Sequence, residues 1–236
     1  MKRTVGLAGM VFLLSGTGCN VLDSDPGPTQ TAREEIDAGK AETVRAEIRM
    51  GAGELRVEGG GTKLMEGSFR YSERVGRPTV RYDVTGSRGR LIVDSPKKDS
   101  SFGKMVNEWN LRIGSDAPLE MNVTLGGGKA DLDMSRLPLH AMEVRMGAGE
   151  LLLNMAGKYR KDVTVQVDGG AGEARIRLPR DVGAVVDAKV GIGSINTKGL
   201  TKRDGKYYNE AYAEGKPAVR MEVRGGVGEI KLSVEE

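Results

Sequence analysis

Apolar and polar residues alternate with a period of two along most of this chain. Val44, Ile48 and Met50 occupy every second position of one run; Leu119, Met121, Val123 and Leu125 do so in another. Val163, Val165 and Val167 repeat the arrangement, as do Val219, Met221 and Val223. Such alternation places the apolar side chains on one face of a strand and the intervening Arg, Glu, Lys and Asp on the other. Each run ends at a pair of glycines, and a second run follows, as in Leu151-Leu152-Leu153 or Ala174-Arg175-Ile176-Arg177-Leu178. The predicted unit is therefore strand, Gly-x-Gly corner, strand. Glycine there permits positive φ or a close backbone approach.

The unit recurs six times. Residues 47–55 read E-I-R-M-G-A-G-E-L and residues 143–151 read E-V-R-M-G-A-G-E-L, with corners at Gly51/Gly53 and Gly147/Gly149. E-V-R-G-G-V-G-E-I at 222–230 is a looser copy with Gly226 and Gly228. Gly126/Gly128, Gly170/Gly172 and Gly191/Gly193 mark three more. From 126 to 191 the first corner glycines advance by 21, 23 and 21 residues, a step that suits one coil of a β-solenoid. The gaps of 75 (51 to 126) and 35 (191 to 226) imply inserted hairpins or degenerate coils. The fold class expected is all-β, a repetitive solenoid-like stack of strands joined at Gly-x-Gly corners.

Read from its start, the chain divides into three. Met1-Lys2-Arg3 is a basic region, and the apolar stretch from Val5 to Leu14 is too short to span a bilayer comfortably, so residues 1–18 read as a signal peptide. Small residues lead into Cys19, the one cysteine, in the manner of a bacterial lipobox, although Gly16 stands where a Leu is usual. Cys19 is the expected lipidation site; an ordinary secretory peptide with a stray Cys is the alternative. Residues 19–40, with Asp23, Asp25, Pro26, Pro28, Glu34 and Glu35, read as a flexible tether, and 41–236 as the β domain. Within it, 62–113 depart from the repeat, with strand-like runs at 63–72, 79–85, 90–94 and 108–113. Residues 95–101 and 200–217 read as loops, and no helix is expected.

Composition narrows the function. With 35 glycines, 4% aromatic and 38% hydrophobic residues, the chain suits a thin core of Val, Leu, Met, Ile and Ala. Removing residues 1–18 takes Lys2 and Arg3 from a formal charge of +3, leaving about +1, which implies no nucleic-acid partner.

The G-A-G-E-L, V-G-I-G-S-I and G-V-G-E-I corners, with Tyr207-Tyr208-Asn209-Glu210 before the last one, resemble the bacterial toast-rack domain family over about residues 40–234. That family includes LiaF-like cell-envelope-stress proteins and related adhesin-like proteins. The resemblance implies a solenoid-like all-β fold, an envelope location and, in some members, a role in signalling envelope damage; it supplies no catalytic residues. Signalling members carry transmembrane helices ahead of the domain, and none is legible here. A lipid on Cys19 would take their place, with the outer membrane as one destination.

No sharper chemistry emerges. None of the corners continues as G-K-[ST], so no phosphate loop is expected. Gly169-Gly170-Ala171-Gly172 departs from a calcium β-roll repeat, because Ala174 stands where Asp is needed. Glu54, Glu150, Glu173 and Glu229 share one place in four corners, as a partial acidic ladder or a solvated face. His140 is the one histidine, which leaves no metal cluster and no Ser-His-Asp set. No cofactor and no catalytic residue is expected. Two classes remain: a membrane-anchored, non-catalytic envelope protein working through protein or cell-wall contacts, and a carbohydrate-binding or carbohydrate-active β-helix protein. Trp109, Tyr207, Tyr208 and Tyr212 form the candidate interaction surface for either. The last strand-like run is expected to end the stack. Its edge would be covered by the 200–217 loop, with its tyrosines as a lid, or by self-association with a second copy.

Overall fold

The computed structural model describes residues 28–96 and 105–234. The expected signal peptide, Cys19 and the first part of the tether lie outside them, as do residues 97–101 of the expected polar loop. Among the described residues, thirteen strands form one sheet: β1 (Thr29–Ile36), β2 (Thr43–Gly61), β3 (Met65–Ser72), β4 (Thr79–Thr85), β5 (Arg88–Asp94), β6 (Asn107–Gly114), β7 (Leu119–Asp133), β8 (Leu139–Asn154), β9 (Val163–Leu178), β10 (Gly183–Lys198), β11 (Thr201–Arg203), β12 (Lys206–Tyr208) and β13 (Ala218–Val234). No helix occurs among the described residues.

Each Gly-x-Gly unit is a single long strand bent at its glycines. A straight strand of the 15 residues of β7 would run about 50 Å. The five residues between Asp133 and Leu139 reach back no more than about 20 Å to start β8. The strand must therefore fold over at Gly126–Gly128, and its two arms enclose the core. Burial follows the alternation and changes parity at the corner: Leu119, Met121, Val123 and Leu125 face inward on the first arm, Ala130 and Leu132 on the second.

The long strands β2, β7, β8, β9, β13 and β10 lie parallel in that order, and register aligns equivalent residues. One inner row runs Ile48, Val123, Val144, Val167, Val223, Ala188; another runs Val57, Leu132, Leu153, Ile176, Leu232, Thr197. Stacked aliphatic rows of this kind make up most of the core. The inserted residues 62–113 extend the sheet through β6, parallel to the second arm of β2, and β5, parallel to the first; β3 then pairs antiparallel with β6, β1 with β3, and β4 with β5.

Two expectations are corrected here. Residues 29–36 are strand β1, paired along its whole length with β3, so the tether does not extend to residue 40. Ala32 and Ile36 pack against the core and supply the burial that holds it. The second correction concerns strand order: β13 is inserted between β9 and β10 rather than ending the stack. Its inner residues Val219, Met221, Val223, Ile230 and Leu232 are all buried, as an interior position requires. In β10 the corresponding inner positions of the second arm are the half-buried Ile195 and the exposed Thr197. A strand with Thr in the Leu row loses less at an edge. The 200–217 region covers part of that edge: Asp204, at φ 46°, and Gly205, at φ 78°, form a hairpin turn between β11 and β12. β12 then pairs with Val185 and Val186 of β10.

Candidate functional site

The corner glycines form a backbone ladder. At the second glycine of each corner φ is positive, from 115° at Gly128 to 142° at Gly53. A Cβ on Gly149 would lie 1.9 Å from the carbonyl oxygen of Gly128, and one on Gly172 would lie 1.9 Å from that of Gly149. These six glycines, Gly53, Gly128, Gly149, Gly172, Gly193 and Gly228, are structural. So are Gly126, Gly147, Gly170, Gly191 and Gly226, where φ is ordinary but a Cβ would meet the neighbouring corner's carbonyl at 2.2–2.7 Å. Gly51 differs, with nothing within 4 Å of its Cβ position. Beyond Gly53 the ladder ends on Asn107. Its buried amide donates to the Ala52 carbonyl at 2.6 Å and accepts from the Trp109 indole N–H at 2.8 Å.

The four aromatic candidates do not meet. Trp109 is 1% exposed, edge-on to Phe69 in the core, and is no interaction surface. It sits on β6, far along the strand order from β12. Tyr207 is 8% exposed, with the Lys202 ammonium 5.1 Å from its ring centroid. Tyr208 stacks edge-on with Tyr212 at 5.0 Å, and the Arg203 guanidinium lies 4.6 Å from its ring. The three tyrosines cap the β10 edge. Asn209 anchors the cap: its side chain accepts from Ala184 N–H at 2.8 Å and donates to the carbonyls of Pro179 and Val182 at 2.9 and 2.8 Å. The Tyr-Tyr-Asn-Glu stretch is thus a clip.

The Glu residues after the corners do fall in one row, and cations beside them neutralise it. Arg175 bonds Glu173 through two nitrogens at 2.7 and 2.8 Å and reaches Glu150 at 2.6 Å. Lys231 lies 2.7 Å from Glu173 and 2.8 Å from Glu229. The Lys231 hydrogen bond, and after it Arg175, holds the Glu173 carboxyl below its ordinary range; Lys231 does the same for Glu229. The row is an ion-paired brace across strands. Among the described residues no group of three or more His, Cys, Asp or Glu could hold a metal ion.

What sequence reading passed over is the side of the molecule where strands return. A groove of about 670 Å³ runs there between the segments joining β7 to β8 and β8 to β9. Arg136, His140, Lys158, Arg160 and Lys161 line it, and no Asp or Glu does. Its floor includes Tyr159, buried, whose hydroxyl donates to the Met134 carbonyl at 3.1 Å. Burial pushes that phenol well above its usual range, so it stays neutral. The run Lys158-Tyr159-Arg160-Lys161 was visible in the sequence. What it lacked was Arg136, which the 21-residue step brings to the adjacent return segment and whose guanidinium packs against Gly60 at the end of β2.

The family described as the N-terminal domain of toast_rack, DUF2154, matches residues 25–177. A solved structure of a "putative cell adhesion protein" from Clostridium sporogenes shares 30% identity, with a TM-score of 0.83 over 88% of this chain and 100% of that one. A "putative adhesin" from Bacteroides fragilis, 13% identical, covers 88% of this chain and 98% of its own at a TM-score of 0.33, too weak a likeness to argue from. No functionally curated protein shows a significant match.

Proposed function

Because the chain belongs to the toast-rack family, we propose that it is a non-catalytic protein of the bacterial cell envelope, exported and anchored through a lipid on Cys19, that works by surface contact with proteins or cell-wall polymers. The observation that carries this reading is the likeness, along nearly all of both chains, to the Clostridium protein described as a "putative cell adhesion protein". The architecture agrees with it. The Glu row beside the corners is ion-paired on the outside of the sheet, and the buried polar groups Asn107 and Asn209 are spent on holding backbone. A carbohydrate-active reading would need an aromatic platform beside two carboxylates. With Trp109 in the core and the tyrosines clipped to a sheet edge, the platform is not assembled.

Fractionation tests the anchor, and crosslinking tests the contact role. Cys19→Ser should move the protein from the detergent-extracted to the soluble or unprocessed fraction, and crosslinked envelopes should yield a specific partner with the wild type. A wild type that is already soluble would refute the anchor. A wild type that sediments with no envelope material and crosslinks to nothing would refute the contact role.

A further inference from the structure

We propose that the groove on the return side binds a phosphate-bearing polyanionic chain of the envelope, with Arg136, Lys158, Arg160 and Lys161 supplying the charge. This deepens the contact role proposed above and rests on it.

Charge sign separates this groove from the other concave surfaces. The groove along the second arms mixes Arg56, Arg175 and Lys231 with Glu58, Asp131 and Asp133. The depression beside β1 mixes Arg33 and Arg112 with Glu34, Glu58 and Glu66. Only cations and neutral residues line the return-side groove. Its four permanent cations exceed the formal charge of the whole chain, +3, so the remaining residues are net negative together. Many strand arginines elsewhere sit against carboxylates, as Arg175 does against Glu150 and Glu173. Among the described residues, no carboxylate lies within salt-bridge distance of Arg136, Lys158, Arg160 or Lys161. The adjacent Asp162 is turned away, accepting from the Ala218 N–H at 2.9 Å and facing Arg220 at 3.8 Å. Asp133, near the groove, is engaged by Ser135 and Asn154.

Shape selects among anions. The volume is far larger than one phosphate needs, and the cations are spread over two successive return segments, which suits an anion that repeats. A flat bilayer would touch only the rim of a concave surface, whereas a flexible chain can lie within it. An acidic peptide would bring apolar side chains, and here Leu137, Leu139 and Tyr159 are already buried beneath the surface. Two guanidinium forks and two ammonium groups match phosphate oxygens directly.

The test is fluorescence anisotropy of labelled poly(glycerol phosphate) titrated with the full chain. Neutral dextran and phosphatidylglycerol vesicles serve as competitors. The expected result is saturable binding that weakens with added salt, resists dextran and drops at least tenfold in Lys158→Glu/Lys161→Glu. Arg81→Glu, an exposed cation on β4, should leave it unchanged. Should the double charge reversal fail to fold by circular dichroism, Lys158→Gln/Lys161→Gln is expected to lose about threefold. Absent binding, an equal loss in Arg81→Glu, or preferential capture by the vesicles would each overturn the proposal. If the polymer fails to bind while the wild type still co-sediments with purified envelopes, the groove assignment is wrong and the contact role stands. If neither occurs, both fall.

Discussion

Substituting Gly149 by Ala isolates the physical content of the corner. Two costs arise at once. The residue sits at φ 128°, a conformation that L side chains rarely adopt, which costs about 1–3 kcal/mol. Its new Cβ would also lie 1.9 Å from the Gly128 carbonyl oxygen and 2.9 Å from the Met146 Cε. The Met146 side chain can move, but the carbonyl belongs to the neighbouring strand, so β7 and β8 must separate by more than 1 Å at the corner. Ladder hydrogen bonds on either side then stretch, at roughly 0.5–1.5 kcal/mol each. With one such bond on each side the sum is about 2–6 kcal/mol, which for a domain of this size lowers Tm by on the order of 10 °C. Gly147→Ala meets only the steric term, at 2.3 Å from the Gly126 carbonyl, and should cost less. Gly51→Ala has ordinary φ and open space, and should stay within about 1 kcal/mol of wild type. Thermal and urea denaturation followed by circular dichroism would rank the three. A Gly149→Ala protein that melts with wild type, or a Gly51→Ala protein that falls as far as Gly149→Ala, would refute the ladder.

Other expectations follow from the clip, the ion pairs and the indole. Asn209→Ala leaves the Ala184 N–H and the Pro179 and Val182 carbonyls without their side-chain partner. It should cost about 2–4 kcal/mol in urea titrations, while Glu210→Ala should be near neutral. Glu173 and Glu229 have folded pKa values below their ordinary range. The stability they contribute is therefore present above the unfolded carboxylate range and lost as pH falls through the folded values. Removing the shared cation with Lys231→Met should flatten the decline of Tm between about pH 5 and 3, and 1 M salt should shrink the wild-type decline; unchanged profiles would count against the brace. Trp109 is the chain's one tryptophan and is buried. Its emission should be blue-shifted and resist acrylamide quenching until the protein unfolds, and an emission maximum near that of free indole would contradict the core placement.

Much of this architecture was legible locally. Alternation at 119–125 or 163–167 predicts a strand with a defined inner face, because side-chain period two is a property of the extended backbone alone. The glycine pairs predict the corners, because only glycine serves where φ is near 130° and a carbonyl stands at 2 Å. The runs in 62–113 predict the inserted strands for the same local reason; Thr79–Thr85 has the bounds read from sequence, and the other three strands fall within two residues of theirs.

Tertiary structure alone decided the rest, and each case depends on contacts between residues far apart in the chain. β1 carries too few apolar residues to announce itself, and it exists because β3 offers an unpaired edge over its whole length. The insertion of β13 between β9 and β10 turns on which strand tolerates an exposed flank. Thr197, in the row that holds Leu132 and Leu153, hinted at β10, but that row is defined only once the register is known. Trp109 reads as a loop-side platform until Phe69 closes over it. The cationic groove needs Arg136 beside Lys158, neighbours only because successive coils stack with their return segments aligned. Alternation and glycine spacing act within one strand; strand order, burial of single aromatics and charge clustering are properties of the packed sheet.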